Sequence, residues 1–333
     1  MIIVTGGAGF IGSAVVWELN RRGDGNILVV DRLGNESKWK NLVNLSYCNF
    51  MDRERFLELL RRDSLPQRPR AIVHMGACSS TTEMNADYLM NNNVHYSQEV
   101  CHYAVKAGIR LVHASSAATY GDGANGFSDD EALLPKLRPL NMYGYSKHLF
   151  DLWAQRERMD QRMVALKFFN VYGPNEYHKG NMRSMVSKAY KEIKESGRIR
   201  LFKSNHPDFT DGGQKRDFIY VKDCAKAVCW LLENTDICGV FNLGTGKARS
   251  WNDLAGAVFA AMNMPVKIDY VDMPENLSRQ YQNFTEAKMD KLAARGLDAG
   301  NFFSLEDGVT DYVRNYLMRE ESPYLGNDPE RGL

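Results

Sequence analysis

A glycine-rich turn between a strand and a helix constrains the fold of this chain more than any other feature. The segment MIIVTGGAGFIGSAVVWELNRRGDGNILVVDR starts with a short β-branched run, passes through Gly6, Gly9 and Gly12, and ends in a second apolar run at Asp31. Uninterrupted apolar runs of this kind indicate strands that are buried on both faces. A glycine turn before a helix lets the backbone approach a pyrophosphate at the helix N-terminus. The segment therefore predicts a dinucleotide-binding unit of strand, helix and strand.

Further apolar runs repeat this pattern along the first half of the chain. AIVHMGA (71–77) and RLVHASSAATYG (110–121) end in small or polar residues, and segments with helical spacing separate them. Alternating strands and helices predict an α/β fold, a Rossmann-type doubly wound parallel sheet. Ligands bind at the carboxyl ends of the strands in such folds, so we expect the site where these runs end.

The second half of the chain has a different character. It is richer in helices and loops, with RSMVSKAYKEIKESG as a clear amphipathic helix. We predict an NAD(P)-binding Rossmann domain over 1–173, completed by a strand and helix at about 216–245, and a smaller, mainly substrate-binding domain over 174–320. Residues 321–333 are polar and predict a frayed tail. We expect the substrate in the cleft between the two parts.

Composition narrows the possible partners. The net charge of +1 over 333 residues does not indicate nucleic-acid binding. Six scattered cysteines form no metal-ligand spacing and predict reduced thiols in a cytoplasmic protein without a metal. No apolar run approaches the ~20 residues of a membrane span, and a strand starting at the first residues leaves no room for a signal peptide.

The residues after the second strand leave the form of the cofactor open. Asp31 is placed to bind the ribose 2′-hydroxyl group of NAD. Arg32 and Lys38 follow it, and two cations at this place are suited to the 2′-phosphate of NADP. The alternative is that both cations are solvated surface charges.

A serine, a tyrosine and a lysine carry the predicted chemistry. Tyr143 and Lys147 have the spacing Y-x-x-x-K, which places them on one face of a helix, and Ser116 ends the VHASS strand. A nearby ammonium group is expected to lower the pKa of the tyrosine, so that it exchanges a proton with an alcohol during hydride transfer. Ser116 is expected to hydrogen-bond the same oxygen. Tyr145 and Ser115 are the neighbouring alternatives.

The order of the motifs adds a family resemblance. The chain contains TGGAGFIG, SSAATYG, YGYSK, FNVYGP, RDFIYVKD and FNLGTGK in that order. It thereby resembles the extended short-chain dehydrogenase/reductases of the NAD-dependent epimerase/dehydratase family, which act on nucleotide sugars. More narrowly, GACSSTTE, MNNN followed by YSQE, SSAATYG, HKGNM and RQYQNFTEA resemble the ADP-L-glycero-D-manno-heptose 6-epimerase family.

The resemblance covers nearly the whole chain and implies an isomerase. Such enzymes convert ADP-D-glycero-β-D-manno-heptose into its L-glycero epimer by transient oxidation and reduction at C6″, with tightly bound NADP. It also implies a cytoplasmic homo-oligomer, a pentamer by family, that supplies a precursor of the lipopolysaccharide core. In this family Lys179 of HKGNM matches a second acid–base group, which serves the opposite presentation of the carbonyl and also touches the cofactor.

Other positions are carried over by the resemblance alone. The implied cofactor contacts, besides the glycines, Tyr143, Lys147 and Lys179, are Phe10, Ile11, Asp31, Arg32, Lys38, Arg53, Met75, Gly76, Ala77, Cys78, Ser79, Asn92 and Val171. The implied substrate contacts are Ser116, Asn170, Asn181, Lys188, Phe202, Ser204, Arg216 and Tyr281, with Arg216 suited to grip a diphosphate.

Departures from the family pattern concern the sugar-nucleotide side. Asn181 replaces a serine, Lys188 replaces a histidine, and the loop 204–215 is longer than usual. The remaining alternatives are a 4-epimerase or 4,6-dehydratase of another nucleotide sugar, a reductase that releases its cofactor, and a cofactor-bound sensor without turnover. Ala117 and Ala118 stand where dehydratases place acidic residues, and a sensor has no use for an intact Ser–Tyr–Lys group.

Overall fold

The computed structural model describes residues 1–274, 281–319, 321 and 323–326. Arg279 and Gln280 of the RQYQNFTEA motif lie outside the described residues, as do 320, 322 and 327–333 of the C-terminal segment.

Strands make up the framework that positions the site. In chain order they are β1 (Ile2–Thr5), β2 (Ile27–Asp31), β3 (Asn49–Asp52), β4 (Ala71–His74), β5 (Arg110–Ser116), β6 (Val164–Phe168), β7 (Asn170–Tyr172), β8 (Ile199–Phe202), β9 (Lys215–Tyr220), β10 (Gly239–Leu243), β11 (Ala248–Ser250) and β12 (Ile268–Val271). Seven of them form one sheet in the order β10-β6-β5-β4-β1-β2-β3. Every pairing in this sheet is parallel, which confirms the predicted fold class.

Helices cover both faces of the large sheet. They are α1 (Phe10–Arg21), α2 (Arg53–Arg61), α3 (Ala86–Leu89), α4 (Tyr96–Ala107), α5 (Met142–Arg156), α6 (Met185–Ser196), α7 (Val221–Glu233), α8 (Trp251–Ala261), α9 (Asp290–Ala293) and α10 (Leu305–Tyr312). A π-helical turn, Met90–His95, joins α3 to α4, and a second, Val313–Leu317, follows α10. Short 3-10 turns occupy Ser37–Leu42, Ala117–Tyr120, Glu131–Lys136, Met159–Gln161, Tyr177–Met182 and Ala299–Asn301.

Two apolar cores lie on the two faces of the large sheet. Val4 and Val29 belong to one core, whereas Ile3 and Leu28 belong to the other. Successive residues of a strand point to opposite faces, so a strand covered on both faces must be apolar at every position. This requirement explains the uninterrupted apolar runs in the sequence.

The sequence predicts that a strand and a helix at about 216–245 complete the Rossmann domain, but the strand that starts near residue 216 does not join the large sheet. β9 pairs with β7 and β11 in a separate three-stranded sheet. The helix α7 then packs beside α1, and β10 is the strand that joins the large sheet, next to β6. β8 and β12 form a further two-stranded sheet. The domain boundary near residue 173 stays a prediction.

The expectation of a frayed C-terminal tail is wrong for residues 323–325. Leu325 is fully buried, and its backbone N–H donates to Oδ1 of Asn175 over 3.1 Å. The hydroxyl group of Tyr177 donates to the carbonyl oxygen of Pro323 over 2.7 Å. One apolar side chain and two hydrogen bonds outweigh the polar composition of this segment, which therefore packs against the chain near residue 176.

Two further properties concern the described part of the chain. No helix in it combines the length and the apolar character that a membrane crossing requires. The six cysteines are free thiols.

Candidate active site

The glycine turn after β1 forms a cradle for a phosphate group. Gly6 has a φ of +64°, and a Cβ atom there would lie 2.7 Å from the backbone of Gly76. A Cβ atom on Gly12 would lie 2.1 Å from the carbonyl oxygen of Gly6. Gly9 is the N-cap of α1 and provides no side-chain cap. The first N–H groups of the helix are thus not capped by its side chain, and the residues present fit a dinucleotide.

The end of β2 holds the predicted ribose-binding residues together. The Asp31 carboxylate is buried and accepts hydrogen bonds from the backbone N–H groups of Ala8 (3.0 Å) and Arg32 (2.7 Å). Lys38 forms a salt bridge with it at 2.7 Å. The side chain of Arg32 is exposed. Lys38 therefore offsets the charge of Asp31 at this edge of the sheet, next to the glycine turn.

The loop after β4 lies against the same turn. The backbone N–H groups of Met75 and Gly76 donate to the carbonyl and hydroxyl oxygens of Thr5, at 3.1 and 3.2 Å. The Asn93 side chain accepts from the Cys78 N–H (2.8 Å) and donates to the Cys78 carbonyl oxygen (2.9 Å). The remaining predicted cofactor residues of this loop are Ala77, half-buried, and Ser79, exposed.

The π-helical turn Met90–His95 places two asparagines at this loop. Asn92 accepts a hydrogen bond from the guanidinium group of Arg53, which starts α2 after β3. Asn93 donates to the hydroxyl group of Ser146 over 3.0 Å, and that hydroxyl donates to the Tyr143 carbonyl oxygen over 2.7 Å. The predicted cofactor residues Arg53 and Asn92 are therefore in contact, and Asn93 links the loop to α5. Asn93 was missed in the sequence, where three consecutive asparagines look alike.

The predicted catalytic residues converge where β5 meets α5. Ser116 ends β5 and is buried, and its side chain is hydrogen-bonded to Tyr143. Lys147 is 2 % exposed and donates to the carbonyl oxygen of Ala114 over 2.7 Å. Burial lowers the pKa of Lys147 to about 8, although the charge of Asp151 opposes this shift.

The expected lowering of the Tyr143 pKa by Lys147 is wrong for this structure. Burial raises the pKa of Tyr143 above its ordinary value, and the hydrogen bond with Ser116 opposes this only in part. The Lys147 ammonium group donates to the backbone of β5, where it holds α5 against the strand. Desolvation, which the sequence does not display, is the larger effect on a phenol in this position.

Tyr145 and Ser115, the neighbouring alternatives to Tyr143 and Ser116, have other roles. Tyr145 is 44 % exposed and points away from the site. The hydroxyl group of Ser115 donates to the Asp151 carboxylate over 2.7 Å, and Lys167 of β6 donates to the same oxygen over 2.6 Å. Asp151 and Lys167 are fully buried. This ion pair ties α5 to β5 and β6 directly beneath the catalytic residues.

A cavity of about 310 Å³ opens beside these residues. Ser116, Tyr143, Asn170, Arg216 and Tyr281 line it, which brings five of the predicted residues together. The cavity has a size typical of small-ligand sites. Ala117 and Ala118, which the sequence distinguishes from the acidic residues of dehydratases, also line it. The lining residues that sequence reasoning did not single out are Thr81, Gly121, Leu140, Asn141, Phe168, Phe169, Gln282 and Thr285.

Arg216 is held rigidly at one wall of this cavity. Its guanidinium group lies 5.6 Å from the ring centre of Trp251 and 5.1 Å from that of Tyr281. The indole N–H of Trp251 donates to the Tyr281 hydroxyl over 2.8 Å. A planar cation fixed between two aromatic rings is preorganised for bidentate contact with phosphate oxygens.

Asn141, which lines the same cavity, is the N-cap of α5. Its side chain accepts a hydrogen bond from the Gly144 N–H over 2.8 Å, and its place directly before the helix could have indicated this role.

Lys179 lies on the cofactor side of the site. Its ammonium group is 5.4 Å from the ring centre of Phe10, at the start of α1. Burial lowers the pKa of Lys179, and the Glu176 carboxylate opposes this shift. Lys179 does not line the cavity around Tyr143, but Met182 in the same loop contacts Thr81, which does.

The remaining predicted residues are placed at the edges. Ile11 and Val171 are half-buried and pack against the main core. Asn181 and Lys188 are exposed. The hydroxyl group of Ser204 donates to the His206 carbonyl oxygen within its own loop. None of Asn181, Lys188, Phe202 and Ser204 is among the described residues that line the cavity. No group of three or more acidic, histidine or cysteine side chains suited to a metal ion occurs among the described residues.

Comparisons with known proteins identify the family of this chain. The model of the NAD dependent epimerase/dehydratase family matches residues 2–244. A protein of Nitratidesulfovibrio vulgaris (strain DP4) named ADP-L-glycero-D-manno-heptose-6-epimerase is 58 % identical over 98 % of this chain and 100 % of its own length. A protein of Fusobacterium nucleatum with the same name is 47 % identical over 97 % of this chain and 99 % of its own length.

Solved structures agree with the fold. The crystal structure of the Helicobacter pylori ADP-L-glycero-D-manno-heptose-6-epimerase has a TM-score of 0.79 and 27 % identity, covering 94 % of this chain and 95 % of that one. The Thermus thermophilus UDP-glucose 4-epimerase in complex with NAD has a TM-score of 0.73 and 25 % identity, covering 94 % and 97 %. The chain therefore belongs to the NAD dependent epimerase/dehydratase family and, within it, to the group of its ADP-L-glycero-D-manno-heptose-6-epimerase relatives.

Proposed function

We propose that the protein interconverts ADP-D-glycero-β-D-manno-heptose and ADP-L-glycero-β-D-manno-heptose by transient oxidation and reduction at C6″. The observation that carries this proposal is the presence of two separate proton-transfer groups at one edge of the sheet. Tyr143 lines the cavity beside Ser116, and Lys179 lies by the glycine turn. A nicotinamide cofactor, when bound, would supply hydride transfer at C6″, and inversion requires the two transfers to occur on opposite faces of that carbon. The protein must therefore serve the C6″ oxygen in two orientations.

Tyr143 is proposed to serve the first orientation. When the C6″ hydroxyl group becomes a ketone, its proton must pass to a base within hydrogen-bond reach. Ser116 is hydrogen-bonded to Tyr143 and lines the same cavity, so its hydroxyl group is suited to orient the reacting oxygen. Burial raises the pKa of Tyr143, so the phenol is protonated near neutral pH and has a proton to give in the return step, whereas its ionisation before the oxidation step is harder.

Lys179 is proposed to serve the second orientation. A lysine with an ordinary pKa stays protonated near neutral pH and cannot accept a proton, but burial lowers the pKa of Lys179 and so favours the neutral amine, which can. Its position beside Phe10, at the start of the cofactor-binding helix, also supports the additional contact with the cofactor.

We further propose that the bound cofactor is NADP rather than NAD. Lys38 offsets the charge of Asp31 at 2.7 Å, so that the carboxylate repels a 2′-phosphate less, and the exposed Arg32 is available to it. For the remaining predicted cofactor residues, including Arg53, Cys78 and Val171, the roles that the resemblance implies stay predictions. Nucleotide released from the purified protein by acid and separated by chromatography identifies the form.

The substrate assignment predicts the roles of the more remote residues. Arg216 is proposed to bind the diphosphate from its place between two aromatic rings. Asn170 and Tyr281 line the same cavity and are proposed to contact the sugar-nucleotide. Contacts from Asn181, Lys188, Phe202 and Ser204 would come from residues that surround the cavity without lining it, and they stay predictions.

Matched substitutions test the two-base proposal. We expect Tyr143→Phe and Lys179→Met each to lower the epimerisation rate at least a hundredfold, as measured by proton NMR of the C6″ signal. Tyr145→Phe, on the same helix but 44 % exposed, and Lys191→Met, exposed on α6, are the controls and should keep the wild-type rate. A Lys179→Met variant with wild-type epimerisation would refute the second base.

Three properties implied by the resemblance stay predictions. They are a cytoplasmic location, a homo-oligomeric state with five subunits, and a place in the synthesis of the lipopolysaccharide core. Light scattering of the purified protein tests the oligomeric state.

A further inference from the structure

Glu176 is a buried carboxylate that the chemistry above does not use. It is 1 % exposed and immediately precedes the turn Tyr177–Met182, which carries Lys179. Its carboxylate accepts hydrogen bonds from the Ser184 hydroxyl (2.6 Å), the Ser184 backbone N–H and the Tyr312 hydroxyl (3.0 Å). Because Ser184 is the N-cap of α6, one side chain ties together both ends of the loop that carries Lys179.

The same residue acts on Lys179 in two further ways. The backbone N–H of Lys179 donates to the Glu176 carbonyl oxygen over 3.0 Å. The ammonium group of Lys179 lies over the Phe10 ring. Glu176 supplies the negative charge that opposes the effect of burial on this ammonium.

We propose that Glu176 is a positioning residue for Lys179. The Glu176 carboxylate closes the loop 177–183 and thereby holds the lysine at the start of α1, the proposed cofactor-binding helix. This inference rests on the proposed function of Lys179 as the second acid–base group. Gly180 supports the geometry, since its φ of +52° lets the backbone reverse directly after the lysine.

Other charged or titratable groups lie near this loop, and one of them, Arg183, donates from its guanidinium group to the Tyr177 carbonyl oxygen. His178 precedes Lys179, and burial lowers its pKa to about 4, so that it is neutral at neutral pH. Asp31 at the end of β2 and Lys38 in the turn Ser37–Leu42 act on His178 with opposite charges and form a salt bridge with each other. Burial raises the pKa of Tyr312, which therefore stays a hydrogen-bond donor to Glu176.

Tyr177 completes the surroundings of the loop. Burial raises the pKa of Tyr177, so its phenol is neutral as well, and its hydroxyl donates to the Pro323 carbonyl oxygen. Burial also raises the pKa of Glu176, but hydrogen bonds from Ser184 and the charge of Lys179 oppose this. His178, Tyr177 and Tyr312 are thus neutral near neutral pH. Lys179 is therefore the group whose ionisation we expect to respond most when the Glu176 charge is removed.

Glu176→Gln separates charge from shape, because glutamine has nearly the same volume and keeps one acceptor oxygen. We expect the limb of the pH–rate profile that depends on Lys179 to move to lower pH, since the burial effect is then unopposed. We expect kcat to fall about a hundredfold in Glu176→Ala, because the loop loses its closure and the lysine is misplaced.

Two further variants keep the test informative if Glu176→Gln folds poorly. Ser184→Ala removes a hydrogen bond to the carboxylate but no charge, so kcat should fall while the limb keeps its position. Asp223→Asn is the matched control, because Asp223 is also fully buried and accepts from the Phe303 N–H (2.8 Å) and from Lys226 (3.1 Å), in α7. It should lower stability in urea unfolding without moving the profile.

The outcomes separate this inference from the proposed function. If Lys179→Met keeps wild-type epimerisation, the second-base proposal fails whatever Glu176 does. If Lys179→Met is inactive while Glu176→Gln and Ser184→Ala show the wild-type kcat and profile, the positioning role of Glu176 is overturned. A shifted limb in Glu176→Gln, with an unshifted one in Asp223→Asn, supports it.

Discussion

The buried ion pair between α5 and β6, next to the proposed catalytic residues, leads to a sharp prediction for stability. Lys167 and Asp151 are fully buried and their charged atoms are 2.6 Å apart. Lys167→Met removes the cation and leaves a carboxylate that keeps only the hydrogen bond from Ser115. Breaking a buried pair on one side typically costs about 3–5 kcal/mol, because the remaining charge is buried without its partner. That is a large part of the ~5–15 kcal/mol that stabilises a typical domain.

Urea unfolding followed by tryptophan fluorescence measures this free energy. We expect Lys167→Met to unfold at a markedly lower urea concentration than the wild type. The double variant Lys167→Met/Asp151→Leu should recover part of the loss, because it removes the uncompensated charge. Lys106→Met is the control, since the Lys106–Asp63 pair is 74 % and 59 % exposed and such pairs contribute below ~1 kcal/mol.

The reasoning would be refuted by either of two results. One is a Lys167→Met variant that loses less than about 1 kcal/mol, comparable to the exposed pair. The other is a double variant that is less stable than the single one, since charge burial would then not be the source of the loss.

Three further predictions follow from single positions. Gly12→Ala should abolish retention of the nicotinamide cofactor through purification, because the new Cβ would lie 2.1 Å from the Gly6 carbonyl oxygen. The control Gly256→Ala, whose Cβ would meet no atom within 4 Å, should retain the cofactor. Arg216→Lys should raise KM about tenfold with a smaller effect on kcat, because the planar cation between two aromatic rings is lost while the charge stays. Burial lowers the pKa of His74 from 6.5 to about 3. Between these two pH values the unfolded chain binds more protons than the folded one, so the free energy of unfolding should fall by up to about 5 kcal/mol as the pH drops from 6.5 to about 3. Urea unfolding at several pH values should show a shallower loss in His74→Gln.

Local patterns in the sequence account for the fold and for the centre of the site. The apolar runs at Ile2–Thr5 and Ile27–Asp31 predict doubly buried strands because every position in them faces a core. Tyr143 and Lys147 are one helical turn apart, so their relation to each other follows from spacing alone. Their relation to Ser116 follows from the rule that parallel strands end at one edge.

Features that depend on burial and on long-range contacts could not be predicted in this way. The pKa of Tyr143 depends on desolvation by residues from several elements. The packing of Leu325 beneath Asn175 joins positions 150 residues apart. Glu176 lies between the FNVYGP and HKGNM motifs of the sequence, but its role depends on Ser184 and on Tyr312, which lies far away along the chain.

Deuterium incorporation at C6″ tests the central claim most directly. The purified protein, with no cofactor added, is incubated in D₂O with ADP-D-glycero-β-D-manno-heptose and followed by proton NMR. Transient oxidation at C6″ returns the same hydride to the same carbon, so the account predicts a mixture of both epimers with the C6″ proton retained. Deuterium at C6″ of the product, or no second epimer despite bound nicotinamide, would contradict it.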